Sequence, residues 1–185
     1  MTTAAVLLAA GGGSRFVGDT HKLLVKFRGR PLYRHALDAA VGAGLDETIV
    51  VTGSAPLDLP PGLTVVANPR WDEGQATSVR TGLDAAERAG HDAVVVGLAD
   101  QPLVPAEAWR LVAACDGRPV AVATYDGRRA NPVRLHREVW SLVPSEGDEG
   151  ARRLVRGRQD LVCAVACPGN PVDIDTVEDL RRWNS

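Results

Sequence analysis

Three stretches of this chain carry residue types suited to chemistry on anions. The first is Ala10-Gly11-Gly12-Gly13-Ser14-Arg15, with Lys22 shortly after it. Glycines without a Cβ let backbone N–H groups close on phosphate oxygens, and Arg15 and Lys22 add positive charge. The plainer alternative is a turn bearing two solvated cations. Two common phosphate signatures fail here. A Walker loop needs a Gly-Lys-Ser/Thr ending, and a GxGxxG fingerprint begun at Gly11 meets Phe16 where glycine is required. The second stretch is Ala99-Asp100-Gln101-Pro102, in which one carboxylate could hold a Mg²⁺ that also binds phosphate oxygens, or could simply form a turn. The third is Asp173-Ile174-Asp175, whose alternation sends both carboxylates to one side of an extended segment. The plainer role of that pair is to place negative charge at a helix N-terminus.

The elements that must position these groups follow from the hydrophobic pattern. Ala4 to Ala9 is a continuous apolar run, as expected of a strand buried on both faces of a parallel sheet, and the glycines leave from its end. A helix is predicted from Pro31, with Leu32, Ala36, Leu37, Ala40 and Val41 on one face and Gly42 and Gly44 ending it. Strands are predicted at Thr48 to Thr52 and Leu63 to Val66, a helix from Gln75 to Ala89, and the strongest buried strand from Ala93 to Leu98, stopping at Asp100. Beyond it the pattern gives a helix from Ala106 to Ala114, a strand from Val120 to Thr124 and a loop over Gly127 to Pro132. Short helical stretches follow from His136 and Asp148, with an edge strand at Val162 to Val165. A final helix, Val177 to Trp183, has Thr176 as N-cap and Asp179 three residues later, close to a capping box. Alternating strands and helices predict an α/β fold, a three-layer α/β/α sandwich with a mostly parallel, Rossmann-like sheet. Open sheets of this kind bind ligands at the C-terminal ends of their strands, where the glycine loop and Asp100 both lie.

Composition narrows the function. With 185 residues, 45% of them hydrophobic, residues 1–185 suit a single domain with a substantial core. The 21 basic and 23 acidic residues leave a formal charge of −2, so neither nucleic acid nor an anionic membrane is expected as partner. Cys115, Cys163 and Cys167 are odd in number and lack CxxC spacing, which fits buried thiols in a reducing compartment. The apolar stretch from Ala4 to Ala10 has no basic segment before it and ends far short of a membrane span, so a cytoplasmic protein is expected. His21, His35, His91 and His136 are scattered and read as surface or helix residues. Trp71, Trp109, Trp140 and Trp183 read as core or half-buried packing.

Taken together, the motifs resemble the molybdenum cofactor cytidylyltransferases, nucleotidyltransferases that attach a nucleotide to molybdopterin on a glycosyltransferase-A-type fold of the nucleotide-diphospho-sugar transferase kind. Leu8-Ala9-Ala10-Gly11-Gly12-Gly13-Ser14-Arg15-Phe16 with Lys22-Leu23-Leu24 is similar to that family's nucleotide loop, LAAGxSxRMGxxKLL. Asn68 to Gly74 with Ser78 to Leu83 resembles its second motif, and Ala99-Asp100-Gln101-Pro102 its metal motif. Asn131-Pro132-Val133, Gly147 to Arg152 and Asp173 to Leu180 extend the likeness to the C-terminus.

The resemblance implies transfer of CMP from CTP to the phosphate of molybdopterin, with release of pyrophosphate and Mg²⁺ as cofactor. By the same resemblance Ala10, Gly11, Gly12, Gly13 and Ser14 wrap the triphosphate, Arg15 and Lys22 neutralise it, and Asp100 with Asp173 holds the metal. Gly74 and Ser78 lie near base and ribose, and Asn131 and the 147–152 loop face the acceptor. Ala10 tilts the nucleotide from GTP toward CTP, since guanylyltransferase relatives tend to read LAGG, and the product suits delivery to a molybdoenzyme. Gly13 for serine, Phe16 for methionine, extra residues before Lys22 and Ala130 for glycine depart from the pattern. Three rivals remain: a guanylyltransferase acting on another phosphorylated acceptor; a nicotinamide-dependent reductase of a quinone-like pigment, since relatives of the fold include such enzymes; and a chaperone or binding module that holds a pterin or nucleotide without turnover and delivers it to a large oxidoreductase.

Overall fold

The computed structural model describes residues 1–12 and 20–184. Its first strand, β1 (Thr3–Ala9), is buried along its whole length. That burial accounts for the unbroken apolar run, because both faces of the strand meet helices. A two-strand hairpin that the hydrophobic pattern does not announce, β2 (Lys26–Phe27) and β3 (Arg30–Pro31), leads into helix α1 (Leu32–Gly42). Then come β4 (Glu47–Thr52), β5 (Thr64–Ala67), α2 (Gln75–Arg88), β6 (Ala93–Leu98), α3 (Ala106–Ala114), β7 (Val120–Tyr125) and β8 (Arg128–His136). The chain closes with α4 (Ala151–Gly157), β9 (Val162–Ala166) and α5 (Val177–Trp183).

Seven strands form one sheet in the order β5-β4-β1-β6-β8-β7-β9. The β5–β4, β4–β1, β1–β6 and β7–β9 pairs are parallel, and β8 runs antiparallel to both neighbours. On one face Tyr33 and Leu37 of α1 and Trp109 of α3 pack with Leu7, Val50 and Val95. On the other, Val79 and Leu83 of α2 and Leu154 of α4 pack with Val6, Ile49 and Val94. The three-layer α/β/α sandwich with a mostly parallel sheet is therefore present as expected. Below α5, Ile174, Phe27 and Leu32 are fully buried against Leu180 and Trp183. The start of α5 is fixed by a reciprocal capping box between Thr176 and Asp179. Among the described residues no helix is long and apolar enough to cross a membrane.

One stretch differs in kind from its sequence reading. Residues 128–132, predicted as loop, open β8, with Arg128, Arg129 and Ala130 opposite Tyr125, Thr124 and Ala123. Arginine, asparagine and proline carry no strand pattern of their own. The partner strand supplies the pairing, and a register shift between Val122 and Ala123 accommodates the irregular segment.

Candidate active site

β1 and β6 end side by side, with the Ala99 amide donating to the Leu8 carbonyl at 3.0 Å. From β1 the chain continues into Ala10, 1% exposed, and the solvent-facing Gly11 and Gly12; from β6 it continues into Asp100. Between these ends lies a cavity of about 460 Å³, lined by Ala10, Gly11, Gly12, Lys22, Gly74, Ser78 and Asp100 among others. Of the nucleotide-loop residues singled out by sequence, Gly13, Ser14 and Arg15 lie outside the described residues.

Lys22 joins segments remote in sequence. Its Nζ donates to Asp100 Oδ2 at 2.7 Å and to Asp175 Oδ1 at 2.7 Å, with the lysine side chain only 12% exposed. Burial alone would favour the neutral amine, but the charges of Asp100 and Asp175 and their hydrogen bonds outweigh it and raise the lysine above its ordinary pKa. Three hydrogen bonds bring the C-terminal acids here. The Ile174 amide donates to the Asp100 carbonyl at 3.0 Å, and Gln101 Nε2 donates to the Pro171 carbonyl at 3.0 Å and to Asp173 Oδ1 at 2.8 Å.

Asp173, chosen by sequence as a metal ligand, thus stands beside Asp100 on the arm of Gln101. Burial raises its pKa, the nearby Asp100 charge raises it further, and the Gln101 hydrogen bond opposes both. The other oxygen of Asp100, Oδ1, is buried and has no hydrogen-bond partner among the described residues. An acceptor buried without a donor is costly and is relieved by a cation. No group of three or more acids, histidines or cysteines among the described residues forms a complete metal cage. A pair of carboxylates suits Mg²⁺ or a similar hard cation, which keeps waters and takes its remaining oxygens from phosphates.

The opposite wall is built on α2. Gly74 precedes this helix at φ 110°, a conformation that disfavours side chains, and a Cβ there would meet the Gly147 carbonyl oxygen at 2.6 Å. The Ala76 amide donates to that same carbonyl at 2.9 Å, so the 147–150 segment is fastened to the helix start and Asp148 reaches the cavity. Ser78 is 5% exposed, and its Oγ accepts from Asn68 Nδ2 at 3.0 Å. Asn68 also bonds the Thr77 hydroxyl at 2.8 Å, which makes it a buried hub for this wall. Trp71 lies over Gly12, where a Cβ would come within 2.5 Å of its ring. Asn131 is on β8, its carbonyl accepting from the Tyr125 hydroxyl at 3.0 Å, and is not among the lining residues of the cavity.

His21 is a site residue that sequence reasoning left at the surface. Its Nδ1 accepts from the Leu23 amide at 3.2 Å, while Nε2 lies 3.0 Å from the Gly11 carbonyl and 3.2 Å from Ser54 Oγ. An accepting Nδ1 leaves the proton on Nε2, so the neutral ring donates to Gly11 and links the strand end to the turn that carries Lys22. Burial lowers its pKa, the Gly11 bond opposes that, and the Lys22 charge lowers it again. The available sequence signal was its place one residue before a short helical turn, where a side-chain acceptor serves as N-cap.

Comparison with known proteins gives this geometry a context. Residues 5–162 match the family described as the MobA-like NTP transferase domain. The nicotine blue oxidoreductase of Paenarthrobacter nicotinovorans is 32% identical, the match covering 96% of this chain and 94% of that protein. The purine catabolism protein PucB of Bacillus subtilis (strain 168) is 31% identical, over 94% and 92% of the two chains. The crystal structure of Rv0371c from Mycobacterium tuberculosis H37Rv superposes with a TM-score of 0.87 at 29% identity, covering 100% of this chain and 97% of that one. Its manganese complex gives 0.83 at 28%, covering 100% and 98%.

Proposed function

This chain belongs to the MobA-like NTP transferase family, and from that premise we propose that it moves CMP from CTP to the phosphate of molybdopterin, releasing pyrophosphate. The observation that carries the reading is Lys22, largely buried and shared by Asp100 and Asp175, with Lys22 and Asp100 both lining the cavity where β1 and β6 end. Cation and carboxylates stand where a triphosphate and its metal would have to be neutralised. Ala10 in the family's nucleotide loop supports CTP over GTP.

In the proposed reaction an oxygen of the acceptor phosphate attacks the α-phosphorus in line, and the bond to the β-phosphate oxygen breaks. The acceptor is ionised at neutral pH, so no side chain need act as general base. Gly11 offers unobstructed backbone to the phosphates, with Gly12 beside it under the Trp71 ring. Lys22, together with Arg15, balances charge on the departing pyrophosphate. Asp100 and Asp173 fit a divalent ion, given the partnerless buried oxygen of Asp100. Such an ion, Mg²⁺ in this reading, supplies Lewis-acid neutralisation of the phosphates. The manganese complex of Rv0371c supports a divalent metal in a relative. Gly74 and Ser78 line the side assigned to base and ribose, and Asp148 extends the wall.

A second reading rests on the nicotine blue oxidoreductase likeness: reduction of a quinone-like pigment with a nicotinamide cofactor. Against it stands Phe16, which breaks the dinucleotide fingerprint. One experiment separates the readings. The chain is incubated with Mg²⁺, molybdopterin and each labelled triphosphate in turn, and pyrophosphate release is scored; a parallel cuvette follows nicotinamide absorbance with a dye acceptor. Release with CTP supports the proposal. Release confined to GTP removes the cytidylyl assignment, and nicotinamide consumption without any release removes the transfer.

A further inference from the structure

At the end of the sheet remote from the candidate active site, two thiols face each other. Cys115 is the C-cap of α3, and Cys163 is the second residue of β9, opposite Ala121 near the start of β7. β6 and β7 both run antiparallel to β8 and hence in the same sense, so the start of β7 lies away from the end of β6 that delivers Asp100. The two Sγ atoms are 2.9 Å apart, well inside the contact distance of unbonded sulfurs. Both residues are half-buried rather than sealed in the core, so a small reagent can reach them.

Their setting is polar. Arg134, 2% exposed, donates from Nη1 to the carbonyls of Cys115 and Arg118 at 3.1 and 3.3 Å. Burial pushes the Cys115 thiol up to about 11, the neighbouring Cys163 adds to that, and the Arg134 charge pulls it back. Cys115 therefore waits as a thiol beside its partner. Cys167, the third cysteine, points instead at the Ala108 carbonyl, 3.9 Å away.

We propose that Cys115 and Cys163 form a reversible dithiol–disulfide site, oxidised by a hydroperoxide, that ties the end of α3 to the edge strand β9. The Cys163 sulfur attacks the peroxide, the O–O bond breaks, and an alcohol or water leaves, with sulfenic acid formed on Cys163. Cys115 Sγ then attacks that sulfur, and the sulfenic oxygen departs as water with the remaining protons. Two thiols lose two electrons, and the peroxide gains them.

The tie matters because of what the two elements carry. α3 follows the Asp100–Gln101 segment, and β9 leads into the segment bearing Asp173 and Asp175. These segments are already joined at the site end, where the Asn170 amide donates to the Leu103 carbonyl at 3.0 Å and Ile174 to Asp100. A disulfide joins them at the other end as well. It closes a span of 48 residues, which restricts the unfolded chain, and it holds an edge strand that, among the described residues, pairs with β7 alone.

The site does not depend on the transfer reading, and its test does not use activity. The fully reduced chain is treated with stoichiometric hydrogen peroxide, alkylated, digested without reductant and mapped by mass, with thermal melting in parallel. The expected result is one intramolecular Cys115–Cys163 link with a mass loss of two hydrogens and Cys167 still alkylatable. Tm should rise by several degrees and return on addition of dithiothreitol, and Cys115→Ser and Cys163→Ser should show neither link nor rise. The mapping of the unmodified sequence needs no variant to fold. Both thiols remaining alkylatable, oxidation to sulfinic acid without a link, a link through Cys167 or between chains, or a link that leaves Tm unchanged would each overturn the proposal.

Discussion

The ammonium of Lys22 sits 2.7 Å from a carboxylate oxygen of Asp100, although 78 residues separate them. The same nitrogen holds Asp175, 153 residues away. A buried cation held between two carboxylates is a charge balance that an incoming polyanion and its counter-ion would have to rearrange. In the proposed reaction the lysine would turn from carboxylate to phosphate, and Asp100 would be the residue that holds the divalent ion.

Asp100→Ala is expected to leave a folded chain whose CMP transfer from CTP falls by about a thousandfold. Steady-state pyrophosphate release, with circular dichroism as the folding control, measures this. Near-normal turnover in that variant would remove Asp100 from the reaction.

Lys22→Ala should act mainly on binding. The KM for CTP is expected to rise by about ten- to a hundredfold, with a smaller loss in kcat, because one charge-assisted contact to phosphate is lost. Calorimetric titration with CTP checks it, and superimposable curves for variant and parent would exclude the lysine from the site.

His21 can be dissected by its two nitrogens. Asn at position 21 keeps an acceptor for the Leu23 amide but is too short for Gly11, whereas Gln reaches Gly11 and caps poorly. His21→Asn should therefore raise the KM for CTP several-fold with little change in Tm. His21→Ala should raise KM and also destabilise the chain by about 1 kcal/mol through the lost cap. Kinetics and melting of the variants, compared pairwise, decide it; if His21→Asn binds CTP normally, the ring does not position the loop.

Stability should fall in acid through a pair far from the cavity. Glu47 accepts from the Thr64 hydroxyl and from His91 at 2.6 Å, and these bonds depress its pKa below the ordinary 4.5 despite partial burial. A depressed carboxylate stabilises fully above its unfolded pKa and loses that contribution as pH falls through the folded value. Tm measured from pH 6 down to about pH 3 should therefore decline more steeply for the parent than for Glu47→Gln. Parallel curves would show that this pair contributes nothing to acid sensitivity.

Much of this arrangement is legible in the sequence. The unbroken run of β1, the stop of β6 at Asp100 and the Thr176–Asp179 cap are local signals, and each produced the element it announced. What sequence left open is non-local. The opening of β8 looks like a loop until β7 is beside it. The alternation of Asp173 and Asp175 suggests a common side, but it could not foretell that Gln101 takes one and Lys22 the other. His21 was passed over because its three contacts reach from Gly11 to Ser54, and a lone histidine carries no periodic signature. The odd count and missing CxxC spacing of Cys115, Cys163 and Cys167 suggested buried thiols, whereas the apposition of Cys115 and Cys163 depends on β9 pairing with β7.

The most direct measurement is a crystal structure of the chain grown with CTP and magnesium. It should show the triphosphate against Gly11 and Gly12, a metal held by Asp100 and Asp173, and Lys22 turned from the carboxylates to a phosphate oxygen. A triphosphate bound elsewhere, or seated in the cavity while Lys22 keeps both carboxylates and no metal touches Asp100, would contradict the account.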